Sequence, residues 1–445
     1  MTTLSLRALV VLLIAGSLVG CDLFSIDDEA NPNGPALEDV LNNPSRDNIL
    51  AVAAGVEASS RVDIDLYLVN VGVIGREYWR TSSADPRFTG DLLGKASSIL
   101  DANTFYTTRP WNARYRTIRN ANILLQLADL NASADGERLT EAEADYVRGF
   151  AKTWQAYQYL LNLNLTFENG LRFISPDEDA AGPVLSYGES LGQIAALLNE
   201  ADGDLDGGDA FFGITDIAFA NRALAARVAA YQGNFTEVLS ILDSAFDVDG
   251  IGGAGLTEGA FHVFSTGSGD ITNPFFLAPS SDVSDAILAH PSYAADITET
   301  DGRLDKVQLR TNGDGEPATA TFDGLSTQFG FFVYKSNVDG IPIARNAELV
   351  LLRAEARAQT GDLAGAVADL NTIRNAAGLG NYDGDTSEGA VIDEMLRQRR
   401  YELYGEGHRW VDARRYDRLG TLPIDREGDD VWDRFPIPAT ENVGT

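Results

Sequence analysis

Residues 345–374 read RNAELVLLRAEARAQTGDLAGAVADLNTIR, and this stretch decides the fold. Apolar residues recur at helical spacing on both sides of a break at Gly361 and Asp362, so each half has one apolar and one polar face. Gly361 can adopt the left-handed conformation that ends a helix, and Asp362 is a suitable N-cap for the next helix. The stretch therefore predicts two short helices packed as a hairpin.

Similar helix pairs are predicted upstream, near residues 112–163 and 218–246. The second of these is joined at Gly233 and Asn234, as the first stretch is joined at Gly361 and Asp362. A helix with one apolar face cannot bury that face alone, so neighbouring pairs must stack. The pattern is typical of an irregular tetratricopeptide-like (TPR-like) array.

The C-terminal part adds two more motifs: residues 399–412 read RRYELYGEGHRWVD, and residues 435–438 read FPIP. With the helix pair at 346–375, and in this order, they resemble the SusD/RagB family of nutrient-binding outer-membrane lipoproteins. Segments 111–122 and 148–160 resemble the first two paired helices of that family, and the helix near 221–231 resembles its central helix.

The resemblance implies a mainly α fold, an irregular TPR-like α-superhelix with long loop insertions. It implies a single SusD-like domain over residues 46–445, with a C-terminal helix at 389–405. Glycine, aspartate, serine and threonine are dense between residues 250 and 340, so this segment is predicted to be the loop-rich insertion.

The N-terminus is predicted to be a lipoprotein signal peptide over residues 1–20. Arg7 precedes an apolar run from Ala8 to Gly20 that is too short to span a bilayer, and Leu18 to Cys21 form a lipobox. Cys21 would carry the lipid anchor, and residues 21–45 an acidic tether broken by proline and glycine. An ordinary secretory signal and a plain acidic linker are the alternatives. With a single cysteine, the mature chain has no internal disulfide.

The charge balance excludes one class of partner. The chain has 66 acidic and 34 basic residues, a formal net charge of -32, and nucleic-acid binding requires a basic surface. Lysine is rare compared with arginine. This bias fits either adaptation to high salt or a genome that favours arginine codons.

The family resemblance implies a function without chemistry. It implies a nutrient-binding protein at the surface of the outer membrane, with an oligosaccharide as the expected ligand. The protein would deliver that ligand to a SusC-like TonB-dependent transporter and needs no cofactor. Two alternatives stay open: a TPR-like protein–protein adaptor, and a surface hydrolase with two buried carboxylates of raised pKa.

Ligand residues are expected among aromatic rings in loops, because the apolar face of a sugar stacks on a ring while arginine and carboxylates bind its hydroxyls. The first candidates are Tyr78, Trp79, Arg80, Arg87 and Phe88. Packing of Tyr78 and Trp79 on the helical core is the alternative interpretation.

A second aromatic candidate is Phe275 with Phe276, for which a role in the core is the favoured interpretation. Trp410 and Trp432 are assigned structural roles. No metal site is expected. Residues 202–207 match the first half of an EF-hand loop, but its twelfth position falls on Gly213, where calcium requires a glutamate.

Overall fold

The computed structural model describes residues 37–42, 44–131, 138–174, 182–213 and 215–442. The predicted signal peptide, Cys21 and most of the tether lie outside the described residues. Fourteen α-helices occur in the described ranges, and they confirm a mainly α fold. In chain order they are α1 Leu37–Asn42, α2 Arg46–Ser60, α3 Ile64–Ile74, α4 Arg87–Gly90, α5 Phe105–Leu130, α6 Glu141–Thr166, α7 Tyr187–Gly207, α8 Ile217–Tyr231, α9 Phe235–Ala245, α10 Pro291–Asp296, α11 Asn346–Gln359, α12 Leu363–Ala376, α13 Glu388–Glu402 and α14 Arg409–Arg415.

The long helices pack as consecutive antiparallel neighbours: α5 with α6, α6 with α7, α8 with α9, and α11 with α12. The joints of the last two pairs are as predicted. Gly233 and Gly361 have φ values of 72° and 90°, and the side chains of Asn234 and Asp362 cap the helices that follow. Local sequence rules therefore determine how these pairs turn.

Helix α5 begins at Phe105, seven residues before the predicted start at Asn112, and it includes Pro110. A proline within a helix leaves the carbonyl four residues earlier without its usual donor. Here that carbonyl belongs to Tyr106, and the side-chain amide of Asn70 donates to it over 2.7 Å. The extension is possible because a neighbouring helix supplies the missing hydrogen bond.

The part of the chain that the structure describes also contains ten short strands, mostly between the helix pairs: β1 Tyr78–Ser82, β2 Leu171–Arg172, β3 Val184–Leu185, β4 Gly259–His262, β5 Asp285–Ala289, β6 Val307–Leu309, β7 Ala320–Phe322, β8 Leu325–Thr327, β9 Phe329–Phe331 and β10 Ile341–Arg345. The largest sheet has the order β1-β5-β9-β6. In it, β1 pairs antiparallel with β5, with Tyr78 opposite Ala289. This sheet connects the loop-rich insertion with the N-terminal helices, because β1 follows those helices and the other three strands belong to the insertion.

One apolar core runs through both halves of the described chain. Helix α11 lies at its centre, because small residues such as Ala354 and Ala356 let neighbouring helices approach closely and are fully buried. Within the described ranges, no helix combines the length and apolar character required to cross a bilayer.

Candidate functional site

Strand β1 does not present its two large rings to solvent. Tyr78 is 0% exposed and Trp79 is 2% exposed. The Tyr78 ring lies 4.9 Å from the Phe331 ring, between centroids, and its hydroxyl donates to the carbonyl of Leu68. The indole of Trp79 donates to Asp425 over 3.0 Å. The prediction of these rings as a sugar-stacking surface is therefore wrong: the strand is covered on both faces, and both rings are part of the core.

The two rings of the second aromatic candidate differ in burial. Phe275 is 1% exposed and packs against Tyr78 and Phe331, so its predicted ligand role is also wrong. Phe276 is half-buried. The backbone N–H of Asn273 donates to the carbonyl of Asn337, and its side-chain amide donates to the carbonyl of Asp339, which fixes this turn.

The structure does bring the three remaining candidates together. The Arg80 guanidinium lies 5.5 Å from the Phe88 ring, Phe88 is edge-on to Phe105 at 5.1 Å, and the Arg87 guanidinium lies 4.8 Å from Phe105. We call Arg80, Arg87, Phe88 and Phe105 the Arg–Phe cluster. Phe88 is almost buried, so the accessible parts of the cluster are the two guanidinium groups and one edge of Phe105.

Carboxylates complete the surface of this cluster. Asp285 accepts from Arg80, and Asp85 accepts from the Nε and Nη2 of Arg87 over 2.8 and 2.6 Å. The Arg87 guanidinium holds the pKa of Asp85 below its usual range. Exposed arginine–carboxylate pairs of this kind can exchange their mutual hydrogen bonds for bonds to sugar hydroxyls.

The β7–β8 hairpin borders the Arg–Phe cluster through Asp323. This carboxylate accepts from the Thr89 hydroxyl over 3.2 Å and from Lys95 over 2.7 Å, and Arg426 also binds it. Helix α4, the hairpin and the C-terminal segment are therefore joined at one place. We call the surface formed by the Arg–Phe cluster and this junction the loop face.

Exposed aromatic platforms are scarce on this molecule. Across the ranges that the structure describes, every aromatic ring is buried or half-buried. Half-buried rings in the loop-rich insertion are Phe261, Phe276, Phe322, Phe329 and Phe332. A ligand at the loop face would therefore meet ring edges and polar side chains more than open ring faces.

An open cavity of about 300 Å³ lies beside α13 and α14. Four arginines line it: Arg397, Arg400, Arg409 and Arg418. We call it the arginine pocket. The sequence analysis did not identify a cavity in this segment. Arg397 and Arg400 are three residues apart and so share one face of α13, which is the signal that could have indicated it.

A second cavity of similar volume is lined by Arg61, Trp154, Thr215 and His262. His262 is 1% exposed, and its ring nitrogens lie 3.4 Å from the Ser60 hydroxyl and 3.2 Å from the Tyr157 hydroxyl. Burial lowers the pKa of His262 to about 3, so the ring is neutral at physiological pH. Arg61 pairs with Asp270 at the edge of this cavity, and Glu57, which accepts from the backbone of Thr215, also lines it.

The structure explains the EF-hand-like sequence in another way. Residues 202–207 are the last turns of helix α7, where Asp202 pairs with Arg222 and Asp204 pairs with Lys152. A calcium loop requires a non-helical backbone, so this segment cannot be one. Within the described part of the chain, no group of three or more histidine, cysteine, aspartate or glutamate side chains is placed to hold a metal ion.

Among the described residues, four carboxyl groups have raised pKa values. Asp369 and Asp412 are each bound by an arginine, and Asp65 and Glu77 have different neighbours. Burial and then Asp63 raise the pKa of Asp65 to about 6. Burial raises the pKa of Glu77 to about 7 against the opposing effect of Arg409. The hydrolase alternative predicts two such groups facing each other in a cleft, and Asp65 and Glu77 do not form that arrangement.

A buried charge network joins helices α8, α11 and α13 and the end of strand β10. Arg227 binds both oxygens of Glu348 over 2.6 Å, and Arg345 binds Glu402 and Glu406. Trp410 is fully buried and its indole donates to the carbonyl of Trp432, as its structural assignment requires. These groups hold the scaffold together and leave no face for a ligand.

Comparison with solved structures places the whole described architecture in one class. The fold matches surface glycan-binding protein A from Bacteroides thetaiotaomicron with a TM-score of 0.69 and 14% identity, covering 89% of this chain and 96% of that one. The corresponding protein from Bacteroides uniformis gives a TM-score of 0.67 at 16% identity, covering 89% and 97%. A laminarin-binding SusD-like protein gives 0.65 at 18% identity, covering 90% and 98%. The chain therefore has the SusD-like fold.

The C-terminal part of the sequence matches a family model. Residues 309–439 match the model of the SusD family, and this range contains helix pair α11–α12 and the motifs at 399–412 and 435–438. The C-terminal part of the chain is therefore similar to the SusD family in sequence, and the described chain is similar to SusD-like proteins in fold. Among curated protein sequences, none matches this chain.

Proposed function

We propose that this protein binds a glycan at the outer surface of the cell and delivers it to a SusC-like TonB-dependent transporter. The observation that carries the proposal is the SusD-like fold over nearly the whole chain. This fold is shared with two surface glycan-binding proteins and a laminarin-binding protein of known structure. The protein is a binding protein and not an enzyme, as expected for this family.

The loop face is the proposed binding surface. It gathers two arginines, two carboxylates and the edges of several rings, and these are the groups that bind sugar hydroxyls and the apolar faces of sugars. Arg80, Arg87 and Phe276 are the proposed contact residues. Tyr78, Trp79, Phe88 and Phe275 act beneath them, because they fix the strand and the turn that carry the contact residues.

A calorimetric titration tests the loop face. The protein would be titrated with soluble laminarin, starch and xylan, and Arg80→Ala and Arg87→Ala would be compared with the wild type. We expect each variant to bind about tenfold more weakly, since one charge-assisted hydrogen bond contributes at least about 1.4 kcal/mol. Arg434→Ala is the matched control, because Arg434 is half-exposed and pairs with Glu168 outside the cluster. Equal affinity in all four proteins would remove the loop face from the binding site.

The membrane anchor and the transporter are tested separately. Radiolabelled palmitate should enter the wild type and not Cys21→Ser, because the lipobox predicts acylation of that thiol. The wild-type protein, purified gently from its own membranes, should bring a TonB-dependent transporter with it. Recovery of unrelated surface proteins in its place would favour the TPR-like adaptor.

A further inference from the structure

The arginine pocket is an unusual place in a chain with a formal charge of -32. Besides its four arginines, it is lined by three aspartates, Asp296, Asp393 and Asp412. The side chains of Leu396, Leu422 and Pro423 form apolar walls. Positive groups therefore outnumber negative groups here, whereas acidic residues outnumber basic ones almost twofold in the whole chain.

The three aspartates are already engaged. Asp412 accepts from Arg399 over 2.6 Å and lies 3.4 Å from Arg415, and both of these arginines are outside the pocket lining. Asp296 pairs with Arg400 over 3.0 Å. Asp393 pairs with Arg418 over 2.7 Å. The aspartates thus offset two of the four lining arginines.

The other two lining arginines have no carboxylate partner. Among the described residues, no carboxylate oxygen lies within 4.0 Å of Arg397 or Arg409. Arg397 donates to the hydroxyl of Thr298 over 3.0 Å. Arg409 donates through Nη1 to the backbone carbonyl of Arg76 over 2.7 Å. Two neutral acceptors therefore fix these guanidinium groups in place, and the buried Glu77 acts on Arg409 only from beyond ion-pair distance.

Arg409 lies at the wall of the pocket, in surroundings that destabilise its positive charge. Burial, and then the neighbouring Arg400, lower the pKa of Arg409 to about 9. The group is still charged at neutral pH. In addition, the Nε of Arg400 is buried without a hydrogen-bond partner. A bound anion would relieve both deficits, because arginine forms its strongest hydrogen bonds with planar carboxylates.

One segment of chain connects the arginine pocket with the loop face. Pro423 lines the pocket, and Asp425 binds the indole of Trp79. Arg426 binds the carbonyl of Thr89 and the carboxylate of Asp323 at the loop face. Pro423 and Arg426 are three residues apart, so the two places are separated by at most about 10 Å of chain. A ligand lying along the loop face can reach the pocket.

The geometry points to a subsite in which Arg397, Arg400 and Arg409 bind the carboxylate of an acidic sugar, such as a uronic acid, within a glycan ligand. This inference rests on the proposed function, because it takes the ligand to be a glycan. It narrows the substrate class from glycans in general to glycans that carry carboxylates. The apolar walls face the sugar ring, and the cavity of about 300 Å³ has the size of a small ligand pocket.

Calorimetry with a charged ligand and its neutral ester tests the subsite. The full-length lipoprotein in detergent would be titrated with tetragalacturonate and with the methyl ester of the same oligosaccharide. We expect the acid to bind at least about tenfold more tightly than the ester at 50 mM NaCl, and the preference to shrink at 500 mM NaCl. Equal affinity for acid and ester would overturn the inference.

Variants locate the preference in the pocket. Arg409→Gln should remove most of the preference for the acid, measured as the ratio of the affinities of this variant for acid and ester. Because Arg409 is also bonded to the backbone, Arg397→Gln provides a second variant at an exposed side chain, and it should reduce the preference severalfold. Arg434→Gln is the control and should keep the preference in full. An undiminished preference in both pocket variants would place the anion site elsewhere and overturn the assignment.

Further ligands separate this inference from the proposed function. Binding of neutral glycans without preference for the acid would refute the subsite and leave the proposed function standing. Failure to bind any glycan, charged or neutral, would refute the proposed function itself. If acetate or free galacturonic acid bound as tightly as the tetramer, the pocket would hold a free anion, and the glycan assignment would be wrong. If the protein preferred a sulfated galactan to galacturonate, the assignment of the pocket as a carboxylate site would be wrong.

Discussion

The buried charge network of the scaffold and the arginine pocket use the same side chain in opposite ways. In the network, Arg227 of α8 and Arg345 at the end of β10 are buried and each meets a glutamate directly. In the pocket, Arg397 and Arg409 face a cavity and meet only neutral acceptors. The comparison shows that arginines can serve either the scaffold or a candidate site. An arginine in direct contact with a carboxylate supports the scaffold, and an arginine without such a contact marks a candidate site.

The largest effect should come from breaking a scaffold pair. Glu348→Ala leaves the guanidinium of Arg227 buried without its carboxylate, so we expect the free energy of unfolding to fall by about 3–5 kcal/mol. Urea denaturation followed by circular dichroism measures it. The control is Glu168→Ala, which breaks a largely exposed pair with Arg434 and should cost no more than about 1 kcal/mol. Similar losses in the two variants would mean that burial does not distinguish scaffold pairs from surface pairs.

The same pair gives the stability of the scaffold a pH dependence. Burial is the largest single effect and raises the pKa of Glu348, but Arg227, His408 and Arg399 together outweigh it, and the net pKa is about 2 against an ordinary value of 4.5. A carboxyl group with a lowered pKa stabilises the fold above its unfolded pKa, and this contribution is lost as the pH falls from about 4.5 to about 2. The wild type should therefore lose stability over that range more steeply than Glu348→Gln. Parallel curves would show that this pair does not titrate with folding.

Glu77 lies between the two regions, and its contribution to stability should change with pH in the opposite direction to that of Glu348. Its carboxylate accepts from the backbone of Gly405 over 3.3 Å, its other oxygen has no partner, and burial raises its pKa to about 7. The folded state binds a proton that the unfolded state releases, so wild-type stability should fall as the pH rises from about 4.5 to about 7. Glu77→Gln should remove this fall and be about 3 kcal/mol more stable than the wild type at pH 8.

Thermal melts at pH 5 and pH 8 measure the effect of Glu77→Gln. The exposed Glu427→Gln is the control and should follow the wild type at both pH values. If Glu77→Gln were no more stable than the wild type at pH 8, then Arg409 would already compensate the buried charge of Glu77. In that case Arg409 would belong to the scaffold and not to the pocket, and the comparison between the two regions would fail at this residue.

Features set by neighbouring residues could be predicted from the sequence, and features set by distant contacts could not. The turn at Gly361 and Asp362 follows from local rules, and it was predicted correctly. The burial of Trp79 depends on Asp425, which is more than three hundred residues away in the chain. The missing partner of Arg409 likewise depends on how Asp412 is shared between Arg399 and Arg415. The candidate site was therefore predicted less well than the helix pairs.

A smaller effect should come from the turn between the scaffold helices. Gly361 has a φ of 90°, a conformation that L-residues rarely adopt, and an added Cβ would meet no atom within 4 Å. Gly361→Ala should therefore lower the free energy of unfolding by about 1–2 kcal/mol through backbone strain alone. Gly389→Ala is the matched control, since Gly389 lies in helix α13 with open space around it and should gain about 0.5–1 kcal/mol. If urea denaturation showed that Gly361→Ala and Gly389→Ala change the free energy of unfolding in the same direction, this interpretation would be contradicted.

The smallest effect on stability should come from the pocket. Arg397 is exposed and its described hydrogen bond goes to a threonine hydroxyl, so Arg397→Gln should change the free energy of unfolding by no more than about 0.5 kcal/mol. Urea denaturation of this variant beside Glu348→Ala compares the two uses of arginine directly. A loss above about 2 kcal/mol would mean that Arg397 supports the fold. An unchanged fold together with a weaker preference for an acidic oligosaccharide would show that the charge of Arg397 serves the ligand, because a scaffold residue cannot lose its charge without cost to stability.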